Sequence, residues 1–149
     1  MSYYADLSRC DYFGRWREAL IAVGWLEQGH SFATGKVSKE FFAQMIGLLR
    51  NPWQPVVTAG YHRCPFCRFT GGPSKIDFED NSIVVGTANL FIPATACMYV
   101  APSLVAHYVD AHEYCPPAEF QEAVLKCPEM RSIAYLKAIK ARGLNHNAS

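Results

Sequence analysis

Long apolar runs are missing from this sequence: the longest, ALIAVGWL at 19–26, falls far short of the roughly 20 residues a helix needs to cross a bilayer. The N-terminus, MSYYADLSRC, lacks the basic start and the roughly 7 to 15 residue apolar core of a secretory signal. A soluble, cytoplasmic protein without a membrane partner is therefore expected. A dominant charge is missing too. Fourteen Lys and Arg stand against thirteen Asp and Glu, so no overall field recommends nucleic acid as a partner. Between Lys75 and Lys126 there is no Lys or Arg at all, whereas seven Asp and Glu residues occur there.

Several catalytic signatures are also absent. The metalloprotease His-Glu-x-x-His, the Gly-x-Ser-x-Gly elbow and the P-loop do not occur. The nucleobase deaminase pattern fails because Pro65 lies inside its cysteine pair and no His-x-Glu precedes it. A catalytic zinc can be drawn with Cys64, Cys67 and His107 as ligands and Glu113 as base. Without a recognised constellation the balance leans against an enzyme, and no catalytic residue is assigned.

What the sequence does contain is six cysteines, an even number that would allow three disulfides. Without a secretory signal, and with half the composition apolar and able to form a core, reduced thiols fit better, two or more of them on metal. Cys64-Pro-Phe-Cys67 is the pair that stands out. It resembles the glutaredoxin active site, which needs a helix after the first cysteine to lower its pKa. Here Arg-Phe-Thr-Gly-Gly-Pro follows, and two glycines and a proline stop a helix from propagating. A zinc knuckle needs the opposite, a tight turn in which both thiolates face one metal.

The close pair of histidines, His107 and His112, begins after 39 intervening residues beyond Cys67 and supplies the other half. Cys-x2-Cys and His-x4-His both fall within structural zinc spacings, and two thiolates cancel the charge of one Zn²⁺. A separation of five residues turns about 140° around an ideal helix, so the helix must end or distort near Ala111 for both rings to reach one ion. Cys115 is the main substitute for His112, with Cys97 and His62 behind it. Cys10 and Cys127 are expected as buried free thiols.

The arrangement resembles a C2H2 zinc finger at Cys64, Cys67, His107 and His112, over roughly a third of the chain. It departs in the gap, which in such fingers is about a dozen residues. The whole chain also resembles members of a small bacterial family without an assigned activity, a likeness that implies no mechanism. The nucleic-acid alternative rests on Arg63, Arg68 and Lys75 interleaved with Tyr61, Phe66 and Phe69. It is opposed by Asp110 and Glu113 beside the proposed ligands, where a recognition helix would meet phosphates.

For the fold, Phe13, Trp16, Leu20 and Val23 recur at helical spacing from Asp11, and Ser38 caps a second helix at 39–50 carrying Phe41, Phe42, Met45, Leu48 and Leu49. PVVTAGYH, KIDFE, SIVVGTANLFI and ACMYV predict an antiparallel sheet of three or four strands within 55–101. Pro102 opens a helix that Cys115-Pro116-Pro117 stops, and EFQEAVLK and EMRSIAYLKAIKARG give two more.

These readings converge on one α+β domain over 1–149. It has a helical part at 1–54, the knuckle, sheet and ligand helix at 55–116, helices at 117–143 and a loose tail at 144–149. The function expected is a structural-zinc protein acting as a non-catalytic interaction or accessory module with a protein partner. Nucleic-acid binding and zinc-dependent hydrolysis are the alternatives.

Overall fold

Ser38 begins the first helix as its residue type predicts. Its backbone is extended and its side-chain oxygen accepts the Phe41 amide N–H, which starts α1 (Lys39–Leu49). The computed structural model describes residues 3–11, 20–55, 62–67, 75–95 and 97–142. Along α1 the expected apolar stripe is buried, joined by Ile46.

The strands form two sheets. β1 (Leu20–Ala22), β5 (Met98–Pro102) and β4 (Asn89–Pro93) make a three-stranded sheet in the order β1-β5-β4. β1 runs parallel to β5, with Leu20 opposite Met98, and β4 antiparallel to it, with Leu90 opposite Ala101. β2 (Lys75–Phe78) and β3 (Asn81–Val84) pair as a separate antiparallel hairpin. The order closes with α2 (Val105–His112), α3 (Ala118–Lys126) and α4 (Ile133–Ala141), the last capped by Ser132. This is the α+β class read from the sequence.

Three local expectations are corrected. Residues 12–19 lie outside the described residues, but Leu20 and Val23 do not share a helical face, because Leu20–Ala22 is strand. Leu20, Ala22 and Val23 are all wholly buried. The strand lies between β5 and the segment before it, where the Cys10 N–H donates to Leu20 O at 2.9 Å and the Ala22 N–H to Ser8 O at 2.8 Å. Long-range pairing overrides a helical spacing here.

The predicted single sheet is two, and SIVVGTANLFI is two strands, broken where Gly86 adopts φ +96°. PVVTAGYH falls almost wholly outside the described residues, as does the 144–149 tail. Pro102 does not open a helix but ends β5 opposite Asn89, and α2 starts at Val105.

The buried side chains join in a single cluster touched by both sheets and all four helices. The Trp25 indole N–H donates to Val100 O of β5 at 3.0 Å. Phe41 of α1 meets Phe120 of α3 edge-on, and Phe42 meets Phe78 of the hairpin in the same way. Tyr135 of α4 donates its hydroxyl to Phe91 O of β4 at 2.7 Å. Among the described residues, no helix is long and apolar enough to cross a membrane.

One glycine sets the position of α2. Gly24, after β1, sits at φ +78°, and a Cβ there would lie 2.9 Å from Val105 Cγ2. The first turn of α2 therefore rests directly on backbone.

Candidate metal centre

The site is assembled by short hydrogen-bonded steps. Ser103, between β5 and α2, is buried, and its hydroxyl oxygen accepts the Gly86 N–H at 2.9 Å and the Ala88 N–H at 3.4 Å. Its own N–H donates to Ala88 O at 2.9 Å. Gly86 O in turn accepts the His62 N–H at 2.7 Å, at the start of the segment that carries Cys64 and Cys67. The Gln28 side-chain amide donates to Pro65 O from the other side. The turn between the cysteines and the start of α2 are thus tied through one glycine turn.

The structure brings Cys64, Cys67, His107 and His112 together, their ligand atoms all within 4.8 Å of one another. Cys67 Sγ lies 3.3 Å from His107 Nε2 and 3.6 Å from His112 Nε2, and Cys64 Sγ lies 3.4 Å from His112 Nε2. A tetrahedron with metal–sulfur bonds of about 2.3 Å and metal–nitrogen bonds of about 2.0–2.1 Å has S···N edges of about 3.5 Å. The three separations match that edge. The Phe66 N–H points at Cys64 Sγ at 3.4 Å, the amide-to-sulfur contact of a metal knuckle.

The five-residue histidine spacing is accommodated at the helix end. His107 is buried in the body of α2, while His112 is its last residue, followed by Glu113 in the left-handed conformation at φ +56°. The Glu113 N–H returns to Tyr108 O, and the Tyr114 N–H bonds the same carbonyl at 3.2 Å. The rings of His107 and His112 then stand 5.0 Å apart and nearly perpendicular.

Burial is the main reason the Cys64 thiol is pushed up to about 11, with Cys67 adding to the rise and the Phe66 amide opposing it. Burial, then the neighbouring His112, lowers His107, while Asp110 works the other way. A neutral imidazole offers its lone pair to a metal, and a metal replaces the thiol protons. A redox cysteine needs the opposite shift, so the glutaredoxin-like reading of Cys-Pro-Phe-Cys finds no support in Cys64.

The substitutes are placed elsewhere. The Cys115 sulfur accepts from the Gln121 side-chain amide at 3.6 Å and abuts Gly35. Cys97, His62 and Glu113 are outside the cluster as well. All six cysteines are unbridged, with Cys10 and Cys127 buried as expected. Of the residues offered for nucleic acid, Tyr61, Arg68 and Phe69 lie outside the described residues. Phe66 packs inward against Phe32, Tyr108 and His112.

Sequence reasoning missed the supports: Gln28, Phe32, Gly86, Ser103 and Tyr108. None carries a local signal, because each reaches the site only through tertiary packing.

The family model for a domain of unknown function, DUF7919, matches residues 2–125. The chain belongs to the DUF7919 family. No curated protein and no solved structure matches it. The DUF7919 match contains all four residues of the cluster, both sheets, α1 and α2, while α4 lies beyond its end.

Proposed function

We propose that Cys64, Cys67, His107 and His112 hold one zinc ion in a closed tetrahedral shell. On this reading the ion is a structural crosslink in a small, cytoplasmic, non-catalytic module that works through contacts with a protein partner. The observation that supports the zinc reading is that three of the four S···N separations, 3.3, 3.4 and 3.6 Å, lie close to the S···N edge of a tetrahedral zinc shell. Two thiolates with two imidazoles suit zinc in softness as well as geometry, and they neutralise its charge, so the shell tolerates burial.

A complete shell leaves no position for an activated water, which favours a structural over a catalytic ion. Asp110 and Glu113, both exposed on and just after α2, oppose the approach of a phosphate backbone and favour a protein over a nucleic acid. The C2H2-finger resemblance adds support to the ligand set, although the gap between its halves is longer than in such fingers.

Native mass spectrometry of the protein purified without chelator tests the proposal. One zinc per chain is expected in the parent, with none in Cys64→Ser and loss or sharp weakening in His112→Ala. A parent free of zinc would overturn it. One zinc retained in His112→Ala would replace the closed shell by an open one and revive the hydrolase alternative.

A further inference from the structure

A cleft of about 460 Å³ is lined by the ends of β4 and β5, the turn between them, α3 and α4. Its volume lies in the range of small-molecule sites, about 300–1,000 Å³. None of its lining residues belongs to the metal cluster. The walls are joined to one another. The Ala94 N–H donates to Cys97 O at 2.9 Å across the β4–β5 turn, and Tyr99 of β5 packs edge-on against Phe120 of α3 with centroids 5.8 Å apart. Arg142, which ends α4, is half-buried and donates through Nε to Ala94 O.

The lining is mainly apolar, with Pro93, Ala123, Pro128 and Ala138 contributing to it. Four charged side chains share it, and two of them satisfy each other: Lys126 Nζ lies 2.7 Å from Glu122 Oε1, one turn away on α3. Glu119 and Arg142 are left, with no ion-pair partner among the described residues. They stand on different walls, Glu119 in the first turn of α3 and Arg142 against the β4–β5 turn. With Nε engaged, the guanidinium is held in place and offers its two terminal nitrogens as a fork that fits a carboxylate. Glu119 is an acceptor only, which suits an ammonium. The Tyr99 phenol, raised by burial first and then by Cys97 and Glu119, stays a neutral hydroxyl in the same wall.

We propose that this cleft binds a small zwitterion of amino-acid type, its carboxylate on the terminal nitrogens of Arg142, its ammonium on Glu119 and its apolar side chain against the alanine and proline lining. Two carboxylates and two cations make the cleft neutral, and the unpaired members are one of each sign. A simple anion would satisfy Arg142 and be repelled by Glu119, and a simple cation would do the reverse. A ligand that carries both charges satisfies both. The inference adds a small-molecule site to the module described above and does not depend on the metal.

Amide chemical shifts of the ¹⁵N-labelled full chain, followed on addition of L-leucine, test it. Saturable shifts are expected at Cys97, Tyr99 and Ala123, with a dissociation constant of about a millimolar or tighter. N-acetyl-L-leucine lacks the ammonium and L-leucinamide lacks the carboxylate, and each should bind about tenfold more weakly or worse, as the loss of one charge-assisted contact requires. Arg142→Gln should weaken L-leucine to the same extent and no longer distinguish it from L-leucinamide. Glu119→Gln should no longer distinguish it from N-acetyl-L-leucine. Lys137→Gln, on the exposed side of α4 and outside the cleft, should bind as the parent does.

No saturable shift with L-leucine or L-phenylalanine up to about ten millimolar would overturn the inference. So would either derivative binding as tightly as L-leucine, or undiminished binding in both Arg142→Gln and Glu119→Gln. The zinc count of the parent bears on the metal reading alone, so the two proposals fail separately.

Discussion

Cys64 and Cys127 are both buried thiols, and their surroundings give them different chemistry. Cys64 faces two imidazoles and an amide N–H. Cys127 donates only to Pro128 O at 3.3 Å, and burial alone raises it from 9.0 to about 12. The sign of the linkage follows. Below the unfolded value near 9 both states keep the proton, so its contribution to stability is fully present. As pH rises from about 9 towards 12 only the unfolded chain ionises, and native stability falls by about 1.4 kcal/mol per pH unit for that one group. Cys127→Ala should therefore flatten the loss of stability between pH 9 and 10.5 in urea titrations, whatever offset its cavity introduces. A variant with the parent's slope would contradict the placement of Cys127. At this scale the four clustered side chains were legible because chemistry restricts both their type and their spacing. Ser103 and Tyr108 were not, since neither residue type nor spacing marks a side chain that ties the turn between β5 and α2 to the Gly86 turn or packs behind Phe66.

At the scale of elements, what decides the site is where α2 stops. Glu113 takes φ +56°, a conformation that a side chain with a Cβ adopts at a cost and that glycine adopts freely at the residue after a helix. Glu113→Gly should raise stability by about 1 kcal/mol and leave metal stoichiometry unchanged, as thermal melting and mass spectrometry would show. A loss of metal would mean that the Glu113 carboxylate takes part in the site. The same residue explains what could be read in advance. The 140° problem in His-x4-His required a helix end near Ala111, and the chain provides one just past His112. α1 was legible from its capping serine and apolar stripe, and α3 and α4 from their composition and charge order along the chain, all of them local signals. β1 was not, because three residues paired in parallel with β5, nearly eighty positions away in the sequence, leave no periodic trace. SIVVGTANLFI read as one strand because the bend at Gly86 is fixed by the contacts of His62 and Ser103 rather than by the glycine itself.

For the whole molecule the question is how much of the fold a metal would hold. Cys67 and His107 are forty positions apart, and β2, β3, β4 and β5 all lie between them, so one ion would close a loop containing most of the sheet. The buried cluster, however, runs through both sheets and all four helices and does not depend on the site to be continuous. α4 illustrates this, with Tyr135 edge-on to Trp53 and bonded to β4, on the C-terminal side of the sequence from the ligand helix. Zinc removal should therefore loosen the molecule without dissolving it. At free zinc about a thousandfold above its dissociation constant, linkage gives about 4 kcal/mol, which for a chain of this size is a melting shift of about 8–16 °C. Circular dichroism at 25 °C is expected to keep its far-ultraviolet signal after chelation while the thermal midpoint falls by that amount and Cys64 and Cys67 become open to alkylation. Collapse of the far-ultraviolet signal on chelation would make the ion the organiser of the fold, as in small zinc fingers, rather than a clasp on a core that stands without it.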